Sequence, residues 1–227
     1  MTQNWTIIVA GGSGQRMGTE IPKQFLRLAD VPVLVHTLRA VQSVEWPMGV
    51  VVVLPAAHIA TWREICEEFG VPKHTVVEGG ASRFDSVKAG LAALPEEARL
   101  VAVHDGVRPF VCAELIGRCF DAASEYGSAI PVVAPVDSFR RVTSEGSEIV
   151  DRSELRAVQT PQVFAAERLR AAYAAYADGS MFTDDASVVE SCGERVWLVD
   201  GERTNIKITT PTDLVTGLAI LGQSDKK

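Results

Sequence analysis

Thr6-Ile7-Ile8-Val9-Ala10-Gly11-Gly12-Ser13-Gly14-Gln15-Arg16-Met17-Gly18 runs an apolar segment straight into a glycine-rich loop. A short apolar run stopped at once by glycine reads as a buried strand over Thr6–Val9. The same change recurs along the chain. Val50–Leu54 is a second buried strand, His74–Glu78 a short one ending at Gly79-Gly80, Leu100–His104 another ending at Asp105-Gly106, and Ala129–Val136 the next. Helical segments lie between them. Pro32–Val44 is one, and His58–Phe69 sets Ile59, Trp62, Ile65, Cys66 and Phe69 on one stripe. Ser82-Arg83-Phe84-Asp85 has the form of a capping box that opens a helix to Leu94. Leu115, Ile116, Cys119, Phe120 and Ala123 mark the following helix.

Strands alternating with helices imply right-handed crossovers and a sheet covered on both faces. The expected class is α/β, with a Rossmann-like, mostly parallel, doubly wound sheet. Ligands of such sheets bind at the carboxyl ends of the strands. That rule gathers the loops after Val9, Leu54, Glu78, His104 and Val136 on one rim. The alternation changes at Asp137. Ser138–Thr143 and Glu148–Arg152 read as two strands around a turn, polar and with little to pack on a core. A lone hairpin is marginal in water. The segment at about 137–158 is therefore expected to project as a β-arm from a single domain, 1–227, and to meet a second subunit. An ordinary surface hairpin is the plainer alternative.

The chain has 227 residues, 47% hydrophobic and 22% charged, which suits one α/β domain. The net charge of −7 argues against a nucleic-acid binder. It leaves a phosphate-bearing substrate open, because local charge decides there. No apolar run approaches the roughly 20 residues of a bilayer span, so no membrane association is expected. Met1-Thr2-Gln3-Asn4-Trp5 has no basic region followed by an apolar stretch, so no signal peptide is expected. Cys66, Cys112, Cys119 and Cys192 form no C-x-x-C pair. Neither a disulfide framework nor a zinc site follows, and a reducing cytoplasm fits.

The glycine loop excludes two common phosphate binders. A P-loop needs Lys-Ser/Thr after the glycines, and none follows. A dinucleotide fingerprint starting at Gly12 would put its third glycine at Met17. Backbone N–H groups of Ala10, Gly11, Gly12 and Gly14 can still converge on phosphate oxygens. The loop then supplies Arg16 and Pro22-Lys23-Gln24. Two cations at this spacing suit a triphosphate better than a dinucleotide pyrophosphate.

With these residues the chain resembles the nucleoside-diphosphate-sugar pyrophosphorylase-like nucleotidyltransferases. His104-Asp105-Gly106-Val107-Arg108-Pro109, Ala157–Gln162, Thr183-Asp184-Asp185-Ala186-Ser187 and Asn205–Thr209 narrow the resemblance to the 2-C-methyl-D-erythritol 4-phosphate cytidylyltransferases, over about residues 6–220. The resemblance implies transfer of a cytidylyl group from CTP to 2-C-methyl-D-erythritol 4-phosphate, a step of the non-mevalonate route to isoprenoid precursors. It implies a homodimer with Mg²⁺. Arg16 and Lys23 would stabilise the transition state, Lys207 would reach the α-phosphate region, and Arg152 would hold the substrate phosphate across a dimer interface. Gly80 and Ser86 resemble the positions that recognise cytosine, and Ser138, Thr160 and Thr183 resemble substrate-side hydroxyls. Asp105, at the end of a strand, can bind Mg²⁺, which favours oxygen ligands, or simply form an Asp-Gly turn. Arg108 can hold Asp105 or meet phosphate. A packed histidine is the reading for His104, because the reaction needs no strong base. The family pattern departs at Ala81, where an acidic residue is common, at Ser138 in place of Thr, and at Ala-Gly-Gly in place of Ala-Ala-Gly. A sister activity on ribitol 5-phosphate shares part of the pattern. A nicotinamide oxidoreductase fails at Met17 and at Pro55, where an acidic residue would end the second strand.

Overall fold

The computed structural model describes residues 2–12 and 21–224. The chain opens with β1 (Asn4–Val9), then a 3-10 turn (Lys23–Phe25), β2 (Arg27–Leu28), β3 (Val31–Pro32) and α1 (Val33–Val41). There follow β4 (Met48–Leu54), α2 (Ala56–Phe69), β5 (Thr75–Glu78), α3 (Arg83–Ala92), β6 (Leu100–Asp105), α4 (Ala113–Tyr126) and β7 (Ser128–Val133). A hairpin of β8 (Phe139–Thr143) and β9 (Gly146–Val150) comes next, then β10 (Ala157–Val158), β11 (Gln162–Ala165), α5 (Ala166–Ala174), α6 (Asp185–Glu190), β12 (Leu198–Asp200) and α7 (Pro211–Ser224).

The main sheet runs in the order β10-β7-β11-β6-β1-β4-β5, with β12 also paired to β7. β1 lies parallel to β4 and β6, and β4 parallel to β5. Only β10 and β11 are antiparallel to their neighbours in this sheet. Strand alternation sends successive side chains to opposite faces, and both faces are apolar. Ile8, Val52 and Leu54 meet Leu34, Trp62 and Leu115 of α1, α2 and α4. Ile7, Val51, Val53 and Val103 meet Phe84, Val87, Leu169 and Val188 of α3, α5 and α6. The sheet is therefore doubly wound, and its near-continuous apolar strands are what burial on both faces requires.

From β1 the chain crosses to β4 on one side, and it later reaches β6 on the other. The strand order thus reverses at β1, where a crevice opens at the carboxyl ends. Register fixes what meets there, since Val9 pairs with both Val53 and Asp105. The predicted capping box is present. Ser82 Oγ accepts from the Asp85 N–H at 3.1 Å, and Asp85 Oδ2 accepts from the Ser82 N–H at 3.2 Å. The β8–β9 hairpin forms its own two-stranded sheet, and none of its residues is buried.

One segment with the composition of a strand, Ile206-Lys207-Ile208, does not form one. Ile208 alone is fully buried, beside Leu28, Val33 and Val107, and its N–H bonds the Val107 carbonyl at 2.9 Å. The apolar flanks of the lysine reflect this single anchoring contact and not sheet pairing.

Candidate active site

A cavity of about 200 Å³ opens at the switch crevice, lined by Ala10, Gly11, Gly12, Lys23, Gln24, Gly80, Ala81, Ser82, Arg83, Ser86, Asp105 and Lys207, among others. It joins the loops after β1, β5 and β6 to two segments distant in sequence. Arg16 and Gly14 lie outside the described residues. Ala10, Gly11, Gly12, Lys23, Gly80, Ser86, Asp105 and Lys207 are brought together as the sequence led us to expect. A chain with a net charge of −7 thus presents three cations and one carboxylate at this opening.

Two glycines are required by close approach. A Cβ on Gly12 would stand 2.7 Å from Lys23 Cε and 3.0 Å from its Nζ. The lysine therefore lies directly on the glycine loop. A Cβ on Gly80 would collide with Cβ of Asp85, so only glycine lets the β5 loop pass the capped start of α3. Ser86 is turned inward: its hydroxyl donates to the Ser82 carbonyl at 2.9 Å.

Asp105 is the electrostatic centre. Lys207 Nζ lies 3.0 Å and Arg108 Nε 3.1 Å from Asp105 Oδ2. Burial disfavours the charged form and pushes this carboxyl upward, but Lys207, Arg108 and Arg83 together overcome it and hold Asp105 well below the usual carboxylate range. The group is an anion at any physiological pH. Arg108 also donates to the Asn205 carbonyl at 2.8 Å and so ties Asp105 to the 205–208 segment.

A buried hydrogen-bond network sits behind the carboxylate. The Asp105 N–H donates to Thr160 Oγ1 at 3.1 Å, and Thr160 Oγ1 lies 2.9 Å from His104 Nδ1. His104 Nε2 lies 3.2 Å from the Arg108 carbonyl. A carbonyl only accepts, so Nε2 carries the proton and Nδ1 accepts from the threonine hydroxyl. Burial outweighs the pull of Asp105 and pushes His104 down to about 4. The neutral ring is thus locked in one tautomer. Asn205 Nδ2 donates to the Thr160 carbonyl at 2.9 Å and ties the lysine-bearing segment to the same network. Thr160, expected to meet substrate, is instead buried here and committed to His104 and Asp105.

Other expected residues lie apart from this cavity. Thr183 is exposed and lines a neighbouring cavity of about 430 Å³ that shares Ser82 and Arg83 with the first. Its motif acts as scaffold. Asp184 caps α6 through the Ser187 N–H at 2.9 Å, and fully buried Asp185 grips Arg83 at 3.0 and 2.5 Å. Ser138 and Arg152 are exposed at the base of the hairpin, where Arg152 donates to the Val136 carbonyl. Neither lines the cavity of Lys23 and Asp105. Arg83, Gln24 and Asn205 were not singled out from sequence as site residues. Arg83 had a signal, since it follows Gly79-Gly80 at a helix start where a charge faces ligand.

The whole chain can now be set beside known proteins. The family model described as 2-C-methyl-D-erythritol 4-phosphate cytidylyltransferase matches residues 5–223. A protein of that name from Bacteroides thetaiotaomicron is 51% identical over 95% of this chain and 98% of its own. One from Syntrophus aciditrophicus is 40% identical over 96% of each. The crystal structure of 4-diphosphocytidyl-2C-methyl-D-erythritol synthase from Anaerococcus prevotii superposes with a TM-score of 0.83 at 30% identity, covering 96% of this chain and 95% of that one. That of the cytidylyltransferase from Thermus thermophilus gives 0.77 at 34%, covering 95% and 97%. With the glycine loop, the lysine seated on it and the ion-paired aspartate all in place, the chain belongs to the 2-C-methyl-D-erythritol 4-phosphate cytidylyltransferase family.

Proposed function

We propose that the protein joins CTP to 2-C-methyl-D-erythritol 4-phosphate, forming 4-diphosphocytidyl-2-C-methyl-D-erythritol and pyrophosphate for isoprenoid precursor synthesis. The observation that carries this reading is one cavity in which Lys23 rests on the glycine loop while Lys207 and Arg83 accompany Asp105. A phosphate oxygen of the acceptor attacks the α-phosphorus, and the bond to the departing pyrophosphate breaks. The nucleophile is already anionic, so no base is needed, which agrees with His104 being neutral and doubly bonded. The difficulty is bringing two polyanions together, and fixed cations address it. Lys23 faces the phosphates over Ala10, Gly11 and Gly12, and the reading keeps for Arg16 and Gly14, which lie outside the described residues, the phosphate-binding roles expected from sequence. Lys207 serves the α-phosphate, and Gly80 and Ser86 flank the base.

The donor set suits Mg²⁺. Asp105 is the carboxylate lining the cavity, and no group of three potential ligands exists among the described residues. A metal held by Asp105 would take its remaining ligands from phosphates and water, the habit of Mg²⁺. When bound it supplies charge neutralisation to the phosphates.

The reading includes a single nucleotidyltransferase domain working as a cytoplasmic homodimer through the arm. All four cysteines are free thiols, in keeping with a reducing compartment. Val142 and Ile149 on the hairpin are 85% and 79% exposed, apolar surface of the kind a second copy would cover. Arg152 and Ser138 would then complete the neighbouring subunit's site. Co-expressed Lys23→Ala and Arg152→Ala chains should regain measurable turnover that neither homodimer has. A fully active monomer at micromolar concentration would remove the arm from the account.

The activity is tested by pyrophosphate release with Mg²⁺, each of the four ribonucleoside triphosphates and each candidate acceptor. Turnover should be greatest with CTP and 2-C-methyl-D-erythritol 4-phosphate. Equal rates with UTP would contradict cytosine recognition, and faster turnover of ribitol 5-phosphate would assign the sister activity.

A further inference from the structure

We propose that Gln24 is a positioning residue for Lys23, clamping the turn that carries the lysine to His58 of α2. The proposal rests on the cytidylyl-transfer reading above. Lys23 and Gln24 are neighbours in the 3-10 turn Lys23–Phe25, but their side chains diverge. Lys23 lies over Gly12, whereas Gln24 is completely buried. Gln24 Nε2 stands 3.2 Å from His58 Nδ1, the amide N–H donating to the ring nitrogen. The next residue docks on the same helix: Phe25 meets the His58 ring edge-on at 5.7 Å and stacks on Trp62 at 6.3 Å.

The two contacts do different work. The Phe25 stack is apolar and anchors the turn, but it leaves rotation of so short a turn weakly defined. The directional Gln24–His58 bond fixes that rotation, and with it the approach of Lys23 to Gly12. Stability alone does not explain the glutamine. Its Oε1 is buried without a partner among the described residues, and an unbonded buried oxygen is destabilising. Methionine would fill a similar volume without that cost. A residue that is poor for stability and sits one peptide bond from the phosphate-facing lysine is placed for geometry.

The test uses the full-length enzyme and steady-state pyrophosphate release. Gln24→Met should lower kcat by about tenfold or more, since a displacement near 1 Å of a reacting group can cost about a hundredfold, while KM for CTP moves less and the unfolding midpoint holds or rises. In a Lys23→Ala background the same substitution should cost nothing further, because its effect passes through the lysine. His58→Leu should reproduce the Gln24→Met loss. His58→Asn, whose amide oxygen can replace Nδ1 as acceptor, should restore most of it. An unchanged kcat in Gln24→Met, or an equal loss with and without Lys23, overturns the proposal. A crystal structure of Gln24→Met gives a readout that needs no turnover: Lys23 should leave Gly12, and an unmoved lysine also overturns the proposal. A parent enzyme that releases no pyrophosphate would instead count against the transfer reading.

Discussion

Lys23→Ala should lower kcat for cytidylyl transfer by about 100-fold or more while the unfolding midpoint stays within experimental error. Losing one preorganised donor at a site of developing charge costs about 3–4 kcal/mol in the barrier. Lys23 meets the structural condition for such a loss, because its ammonium rests against Gly12 on the loop that ends β1. The lysine is half-buried, and its removal opens no core cavity, so the change separates catalysis from folding. Steady-state kinetics beside thermal unfolding check it. Near-normal kcat in a folded variant would make Lys23 a surface charge that happens to follow proline.

Asp185→Ala should have the largest effect on stability. The carboxylate is wholly buried and is held by both guanidinium nitrogens of Arg83 and, at 2.6 Å, by the Tyr173 hydroxyl. Burial and the nearby Asp185 both push the Tyr173 phenol upward, so it remains a donor at all working pH. Removing one member of a buried pair typically costs about 3–5 kcal/mol; the Arg83 side chain is 32% exposed and regains part of that from solvent, so the expected loss is about 3 kcal/mol. In a chain of this size that is roughly 10 °C in the unfolding midpoint. Arg83 lines the cavity, so the loss of its anchor should also weaken CTP binding. Urea denaturation and nucleotide titration of the same variant measure the two effects. A stability change below about 1 kcal/mol would mean that the pair is solvent-screened and contributes as little as a surface bridge.

The parallel core was legible because burial on both faces forces continuous apolar runs, and β1, β4 and β6 show them plainly. The capping box at Ser82 was legible because its residues and spacing are local. The segment after Gly201 was not. Ile206-Lys207-Ile208 has the composition of a strand, but its order comes from Asn205 and Arg108, whose partners are remote in sequence. β11 was missed for a related reason: Gln162–Ala165 is short, follows a proline, and enters the sheet antiparallel between β6 and β7. The Thr183-Asp184-Asp185 motif could be recognised but not interpreted, since Asp185 finds Arg83 only in three dimensions. Likewise the Thr160 hydroxyl looked available to substrate until the fold set it between His104 and Asp105.

In the proposed reaction an acceptor phosphate oxygen attacks the α-phosphorus of CTP in the cavity of Lys23, Asp105 and Lys207. The most direct measurement supplies 2-C-methyl-D-erythritol 4-phosphate with an ¹⁸O-labelled phosphate, together with CTP and Mg²⁺, and follows both products by ³¹P NMR and mass spectrometry. All the label should appear in the diphosphate bridge and acceptor phosphate of 4-diphosphocytidyl-2-C-methyl-D-erythritol, with unlabelled pyrophosphate released. Label in the pyrophosphate, or consumption of CTP without a diphosphate-linked product, would contradict the account.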